Sequence, residues 1–132
     1  FSTVPAIQRV QLWCQDNLAN DLCVPVLAKR AGMSERSFIR KFQNDTGYTP
    51  AEFVTSVRLD AACRLLEDTA LPIKTIAQRC GFGSQTTMQR LYLRSLGVSP
   101  RQYRQKFRLN AELSSLAGPP VELRLSQSAS QG

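Results

Sequence analysis

The sequence predicts an all-α fold: a seven-helix domain in which two helix-turn-helix subdomains flank one long linker helix. Three observations predict it. Apolar residues recur at three- and four-residue steps in each segment before residue 109. Prolines, glycines and serines fall where such segments would start and stop. The chain also repeats itself. Leu27-Ala28-Lys29-Arg30-Ala31-Gly32, then Phe38-x-Arg40-x-Phe42, Gly47-x-x-Pro50 and Phe53, return as Ile76-Ala77-Gln78-Arg79-Cys80-Gly81, then Met88-x-Arg90-x-Tyr92, Gly97-x-x-Pro100 and Tyr103. The copies lie about fifty residues apart, and the second has one extra residue in its turn. Stacked solenoids need three or more units, so two copies on a short chain are expected to act as a pair.

Each element follows from local chemistry. Ile7, Val10, Cys14 and Leu18, with Trp13 alongside as a core residue, predict a first helix beginning near Pro5. Val24 to Ala31 has a proline in its first turn and ends at Gly32, the pattern of a short helix stopped by a left-handed cap. Ser34 then caps a helix whose buried stripe is Phe38 and Phe42. Pro50 opens the long helix, with Phe53, Val57, Ala61 and Leu65 as its apolar line and Arg58, Asp60, Arg64 and Glu67 facing outward; it stops before Pro72. Ile73, Ile76, Ala77 and Cys80 repeat the short helix, Gly81-Phe82-Gly83 the turn, and Ser84 the cap of a helix containing Met88, Leu91, Tyr92 and Leu96. Pro100 starts the last helix through Tyr103 and Phe107. The expected division is 5–48 and 71–108 for the two subdomains, 49–70 for the linker helix, and 109–132 for a flexible C-terminal tail, in which 121–125 could alternate as a short strand.

With 132 residues the chain holds one domain or two small lobes, too little for a large enclosed active site. It contains no histidine, and its four cysteines form no CxxC pair, so metal sites and nucleophile-base pairs have no candidates and no enzyme, cofactor or metal is expected. Asp45, Glu52, Asp60, Glu67 and Asp68 sit at predicted helix ends or exposed faces rather than in a cleft. Cys14, Cys63 and Cys80 lie among apolar neighbours, as buried reduced thiols of a cytoplasmic protein would. No apolar run approaches the roughly 20 residues that span a bilayer, so no membrane partner is expected.

Charge locates the function. The formal net charge is +7. Residues 74–108 hold Lys74, Arg79, Arg90, Arg94, Arg101, Arg104, Lys106 and Arg108 with no acid, and residues 29–41 add Lys29, Arg30, Arg36, Arg40 and Lys41 against Glu35 alone. Residues 42–73, between the copies, carry the opposite balance. Positive charge concentrated on both members of a repeat favours a polyanionic partner. A short helix, a glycine turn and a second helix with a basic face form a helix-turn-helix, whose second helix enters the DNA major groove. In the first copy that face offers Arg36, Ser37, Ile39, Arg40 and Lys41; in the second it offers Gln85, Thr86, Gln89, Arg90 and, at its rim, Leu93. Arginine can grip guanine and glutamine adenine through paired hydrogen bonds, and Ile39 or Thr86 can touch a thymine methyl.

These residues carry a family resemblance. From about Ile7 to Phe107 the chain resembles the DNA-binding domain of AraC/XylS-type transcription regulators, most specifically in Ile76-Ala77-x-x-Cys80-Gly81-Phe82-x-Ser84-Gln85, then Arg90, Leu96-Gly97-Val98-Ser99-Pro100 and Tyr103-Arg104. The resemblance implies sequence-specific binding of double-stranded DNA by a cytoplasmic bacterial regulator. It implies base-facing positions at Arg36, Ile39, Arg40, Gln85, Thr86, Gln89 and Arg90, and phosphate contacts at Ser34, Ser37, Lys41, Ser84 and Arg94. It also implies RNA polymerase as a partner and an effector-binding or dimerisation domain ahead of this one; none precedes Phe1, which suggests a piece of a longer protein. The chain departs from the family pattern at Met88, commonly phenylalanine, at Leu91-Tyr92, and at Ile39, an apolar residue where a polar one is frequent. The alternatives are a helical adaptor for a protein such as RNA polymerase and a non-specific nucleic-acid binder. RNA is disfavoured because Phe38, Phe42, Phe53 and Tyr92 are needed inside and leave no stacking platform.

Overall fold

In the computed structural model, residues 5–117 are described, and they form seven α-helices: α1 Ala6–Asp16, α2 Val24–Ala31, α3 Glu35–Thr46, α4 Pro50–Asp68, α5 Ile73–Arg79, α6 Gln85–Leu96 and α7 Pro100–Ala117. The termini use the local signals named above. Gly32 takes φ 70° after α2, where the Met33 amide donates to the Ala28 carbonyl and the Gly32 amide to the Lys29 carbonyl. The second turn repeats both bonds, from Phe82 to Ala77 and from Gly81 to Gln78, and its extra residue is Gly83 at φ 83°. At the head of α4, Thr49 accepts from the Glu52 amide while the Glu52 carboxylate accepts from the Thr49 amide, closing a capping box.

The chain builds two hydrophobic cores strung along α4. The first gathers Ile7, Val10, Cys14, Leu27, Ala28, Phe38, Phe42 and Val54, with the Phe42 ring edge-on to Phe53 at 5.5 Å. The second gathers Leu59, Ala62, Leu66, Ile76, Ala77, Cys80, Met88 and Tyr92. Ala28 and Ala77, both buried, let the paired helices of each unit cross closely.

Five expectations change. The buried line of α4 is Val54, Leu59, Ala62 and Leu66, while Phe53, Val57, Ala61 and Leu65 are half-buried. A rod serving two cores in succession cannot present one stripe. Arg58 and Glu67 are turned inward and half-buried: Arg58 reaches backbone carbonyls of the α1–α2 loop, and Glu67 accepts from the Tyr103 hydroxyl. Leu18 lies in a loop, because the Asn17 side chain donates back to the Trp13 carbonyl and ends α1 first. Trp13 sits at the rim of its core, with the Arg30 guanidinium 3.7 Å above its ring. Finally, α7 continues past Leu109 to Ala117 because Ala111, Glu112 and Leu113 favour helix even when exposed. The strand considered at 121–125 lies outside the described residues.

All four cysteines are free; Cys14 and Cys80 are buried and Cys63 is half-buried, its sulfur 3.4 Å from the Tyr92 hydroxyl. Burial pushes the Cys14 thiol up to about 11, an effect the Arg58 guanidinium partly offsets. Burial also raises Cys63 and Cys80. A raised thiol keeps its proton in the folded chain after the unfolded chain has lost it, so its stabilisation is complete below pH 9.0 and is lost as pH rises toward 11. With no histidine to titrate near neutrality, stability is expected to be flat from about pH 6 to 8. It should then fall, by about 2–3 kcal/mol from Cys14 alone once pH passes its folded value. Urea unfolding near pH 7.5 and near pH 10.5 checks this; an unchanged midpoint would refute it.

Candidate nucleic-acid interface

Two helices offer a polar face to solvent, and each is held by a fixed apolar underside. In α3, Phe38 and Phe42 are fully buried and anchor the helix, while Arg36, Ser37, Ile39, Arg40 and Lys41 are exposed. In α6, Met88 and Tyr92 do the anchoring and Gln85, Thr86, Gln89, Arg90 and Arg94 are exposed. The one-in-four spacing of the buried rings is what turns the intervening residues outward together. Every base- or phosphate-facing residue expected from the sequence is therefore exposed on α3, on α6 or at their caps. Among the described residues, Arg36, Arg40, Arg90 and Arg94 form no ion pair, so their guanidinium groups are available to a ligand.

The caps differ in what they leave over. Ser34 accepts from the Ser37 amide at 3.2 Å and keeps its own proton to donate. Ser84 accepts from the Thr87 amide and also donates to the Thr87 hydroxyl, at 3.1 and 3.0 Å, so its proton reaches a phosphate only by turning away from Thr87. Lys41 lies 3.3 Å from Asp45 one turn on, an exposed pair that a phosphate could displace at small cost. Ile39 stands out as a large apolar side chain 37% exposed in the middle of the basic face.

In the sequence Lys74, Arg101 and Arg108 stand only as charges without a shared location. They line an open groove of about 480 Å³ beside Gln85, the first residue of α6. Arg104 lies at the back of the groove with its guanidinium already committed, donating to the Leu66 and Thr69 carbonyls at the end of α4. That bond holds α7 to the linker helix and leaves Lys74, Arg101 and Arg108 as the outward cations. In the repeat register the counterparts of Lys74 and Arg101 are the uncharged Pro25 and Ala51, that of Arg108 is Arg58, whose guanidinium is committed to the α1–α2 loop, and that of Gln85 is Glu35, so this basic groove belongs to the second unit alone. The repeat alignment held this signal, but only the packing of α5, α6 and α7 brings the three cations together. Among the described residues, no group of histidine, cysteine or acidic side chains could hold a metal ion, and no helix is long and apolar enough to cross a membrane.

A family of helix-turn-helix domains matches residues 27–106. The HTH-type transcriptional regulator Rv1931c of Mycobacterium tuberculosis is 47% identical over 81 residues, covering 61% of this chain and 31% of that protein. The HTH-type transcriptional activator RhaS of Salmonella arizonae is 31% identical over 99 residues, covering 75% of this chain and 36% of the activator. The chain thus spans about a third of the length of these curated relatives. Among solved structures, the DNA-binding domain of the global transcriptional factor AdpA, in complex with a target DNA, superposes with a TM-score of 0.78 at 34% identity, covering 81% of this chain and 96% of that one. A regulator from Chromobacterium violaceum with an AraC-type DNA-binding domain gives 0.71 at 26% identity, covering 78% and 92%.

Proposed function

The chain belongs to the AraC-type family of helix-turn-helix transcription regulators and carries its DNA-binding domain, and from this we propose that α3 and α6 read adjacent major grooves of one duplex. The observation that supports this best is the pairing of two anchored helices, each with an exposed basic face, on one rod. With 19 residues, α4 is about 28 Å long at 1.5 Å per residue, and successive major-groove faces recur about 34 Å apart. In this reading Arg36, Ile39 and Arg40 contact bases in one half-site and Gln85, Thr86, Gln89 and Arg90 in the other. Ser34, Ser37, Lys41, Ser84 and Arg94 hold phosphates, and Lys74, Arg101 and Arg108 extend the phosphate surface of the second unit. The division into 5–48, 49–70 and 71–108 is the functional one, each outer part a reader and the middle part the spacer. The full protein is a cytoplasmic regulator of transcription.

Selection from random duplexes tests the reading: a preferred asymmetric site should emerge. Affinity for it should fall about a thousandfold or more between roughly 50 and 200 mM salt as phosphate-bound counterions are released. Equal binding of selected and scrambled duplexes would overturn the proposal. A flat salt dependence would favour a second reading, a surface for a protein such as RNA polymerase, which is supported by Leu109 and Leu113, exposed one turn apart on α7.

A further inference from the structure

The rod explains how far apart the two readers stand, but a rod does not fix their rotation about one another. One contact does. Arg58, midway along α4, donates from its Nε to the Leu18 carbonyl at 3.1 Å and from a terminal nitrogen to the Asn20 carbonyl at 3.0 Å. Both acceptors lie in the α1–α2 loop of the first unit. Against that same loop sits the turn of the second unit: a Cβ built on Gly81 would fall 1.8 Å from the Leu18 carbonyl oxygen and 2.7 Å from Arg58 Nε. The equivalent glycine of the first unit, Gly32, meets nothing within 4 Å. Gly81 is thus a left-handed cap and also the point where the two units touch backbone to backbone. The repeat register makes the contrast sharper, because Arg58 corresponds to Arg108 of the second unit, which lines the open basic groove.

We propose that Arg58, with the Gly81 turn seated on the loop of Leu18 to Asn20, is the positioning residue that locks the second reading helix in rotational phase with the first, so that the protein recognises the spacing of two half-sites as well as their bases. The physical basis is the fork of the guanidinium, which holds two carbonyls at once in a planar arrangement that one ammonium cannot reproduce. The inference rests on the DNA-reading function. Adding one base pair between half-sites turns the second by about 35° and moves it by about 3.4 Å, so a locked pair of readers loses one half-site whereas a loosely joined pair follows it.

The test uses the selected duplex and the same duplex with one base pair inserted between its halves. The unaltered chain should lose about 30-fold or more in affinity on the insertion, and Arg58→Ala less than about threefold. A penalty in Arg58→Ala equal to that of the unaltered chain would overturn the proposal. Distances measured without DNA provide the second arm, between spin labels on cysteines introduced as Gln43→Cys and Ser95→Cys, both exposed positions on α3 and α6, with Cys23→Ser removing the exposed thiol. The unaltered chain should give one narrow distribution and Arg58→Ala a broad one; equal widths would overturn the lock. Should Arg58→Ala fail to fold, Arg58→Lys, which keeps charge and stem, should show an intermediate penalty and width, and behaviour identical to arginine in both arms would refute the role. Failure to select any preferred duplex would count against DNA reading, while the distance arm would still decide the lock.

Discussion

Gly81→Ala is expected to cost about 3–5 kcal/mol, whereas Gly32→Ala at the matching position of the first unit should cost about 1 kcal/mol. Both glycines have positive φ, 85° and 70°, so an alanine at either pays the left-handed backbone penalty. Only at Gly81 does the new methyl also collide with the Leu18 carbonyl, a backbone atom that cannot rotate away. To admit it, the loop must withdraw from the turn, which also breaks both bonds made by Arg58. For a domain whose total stability is on the order of 5–15 kcal/mol, that loss leaves a substantial unfolded fraction at growth temperature. Urea unfolding of the two variants side by side is the measurement, and equal losses would show that the junction does not bear on stability.

Arg40→Ala and Arg90→Ala should each weaken binding to the preferred duplex by about 1–3 kcal/mol, and each should relax base preference in one half of the site only. The expectation follows from placement: both side chains are exposed on a helix whose underside is fixed by fully buried rings, Phe38 with Phe42 for α3 and Tyr92 for α6. Neither removes packing, so melting temperature should stay within a degree or two of the unaltered chain. The double variant should lose close to the sum, because the two residues lie on separate helices in separate units. Repeating the duplex selection with each variant reads the effect position by position. Loss of preference in both halves from one substitution would mean that the two helices do not read separately.

Much of this molecule was legible in advance because its signals are local. Ser34 and Ser84 each act on an amide three residues away, Gly32 and Gly47 need only a left-handed backbone, and Phe38 and Phe42 bury together because helical geometry sets them one turn apart. The same periodicity turned Arg36, Arg40, Gln89 and Arg90 outward. Where a residue serves a distant partner, local pattern misleads. Arg58 read as a solvent-facing charge on an amphipathic rod, yet its partners are 40 and 38 positions away. Glu67 read the same way and meets Tyr103. The stripe of α4 was misplaced for a related reason: two cores, one on each half of the rod, draw on different sides of it.

Local sequence signals by themselves determined the seven helices, the caps at Ser34 and Ser84 and the two outward faces, since each depends on hydrogen bonds and apolar spacing within a few residues. Tertiary structure alone decided that the turn of the second unit meets the α1–α2 loop of the first, that Arg104 ties α7 to the end of α4, and that Lys74, Arg101 and Arg108 share a groove. It also separated two glycines that occupy the same place in the repeat, leaving Gly32 in open space and pressing Gly81 against Leu18. Close approach between segments distant in sequence has no period and no local propensity; it exists only once the chain has brought two backbones together.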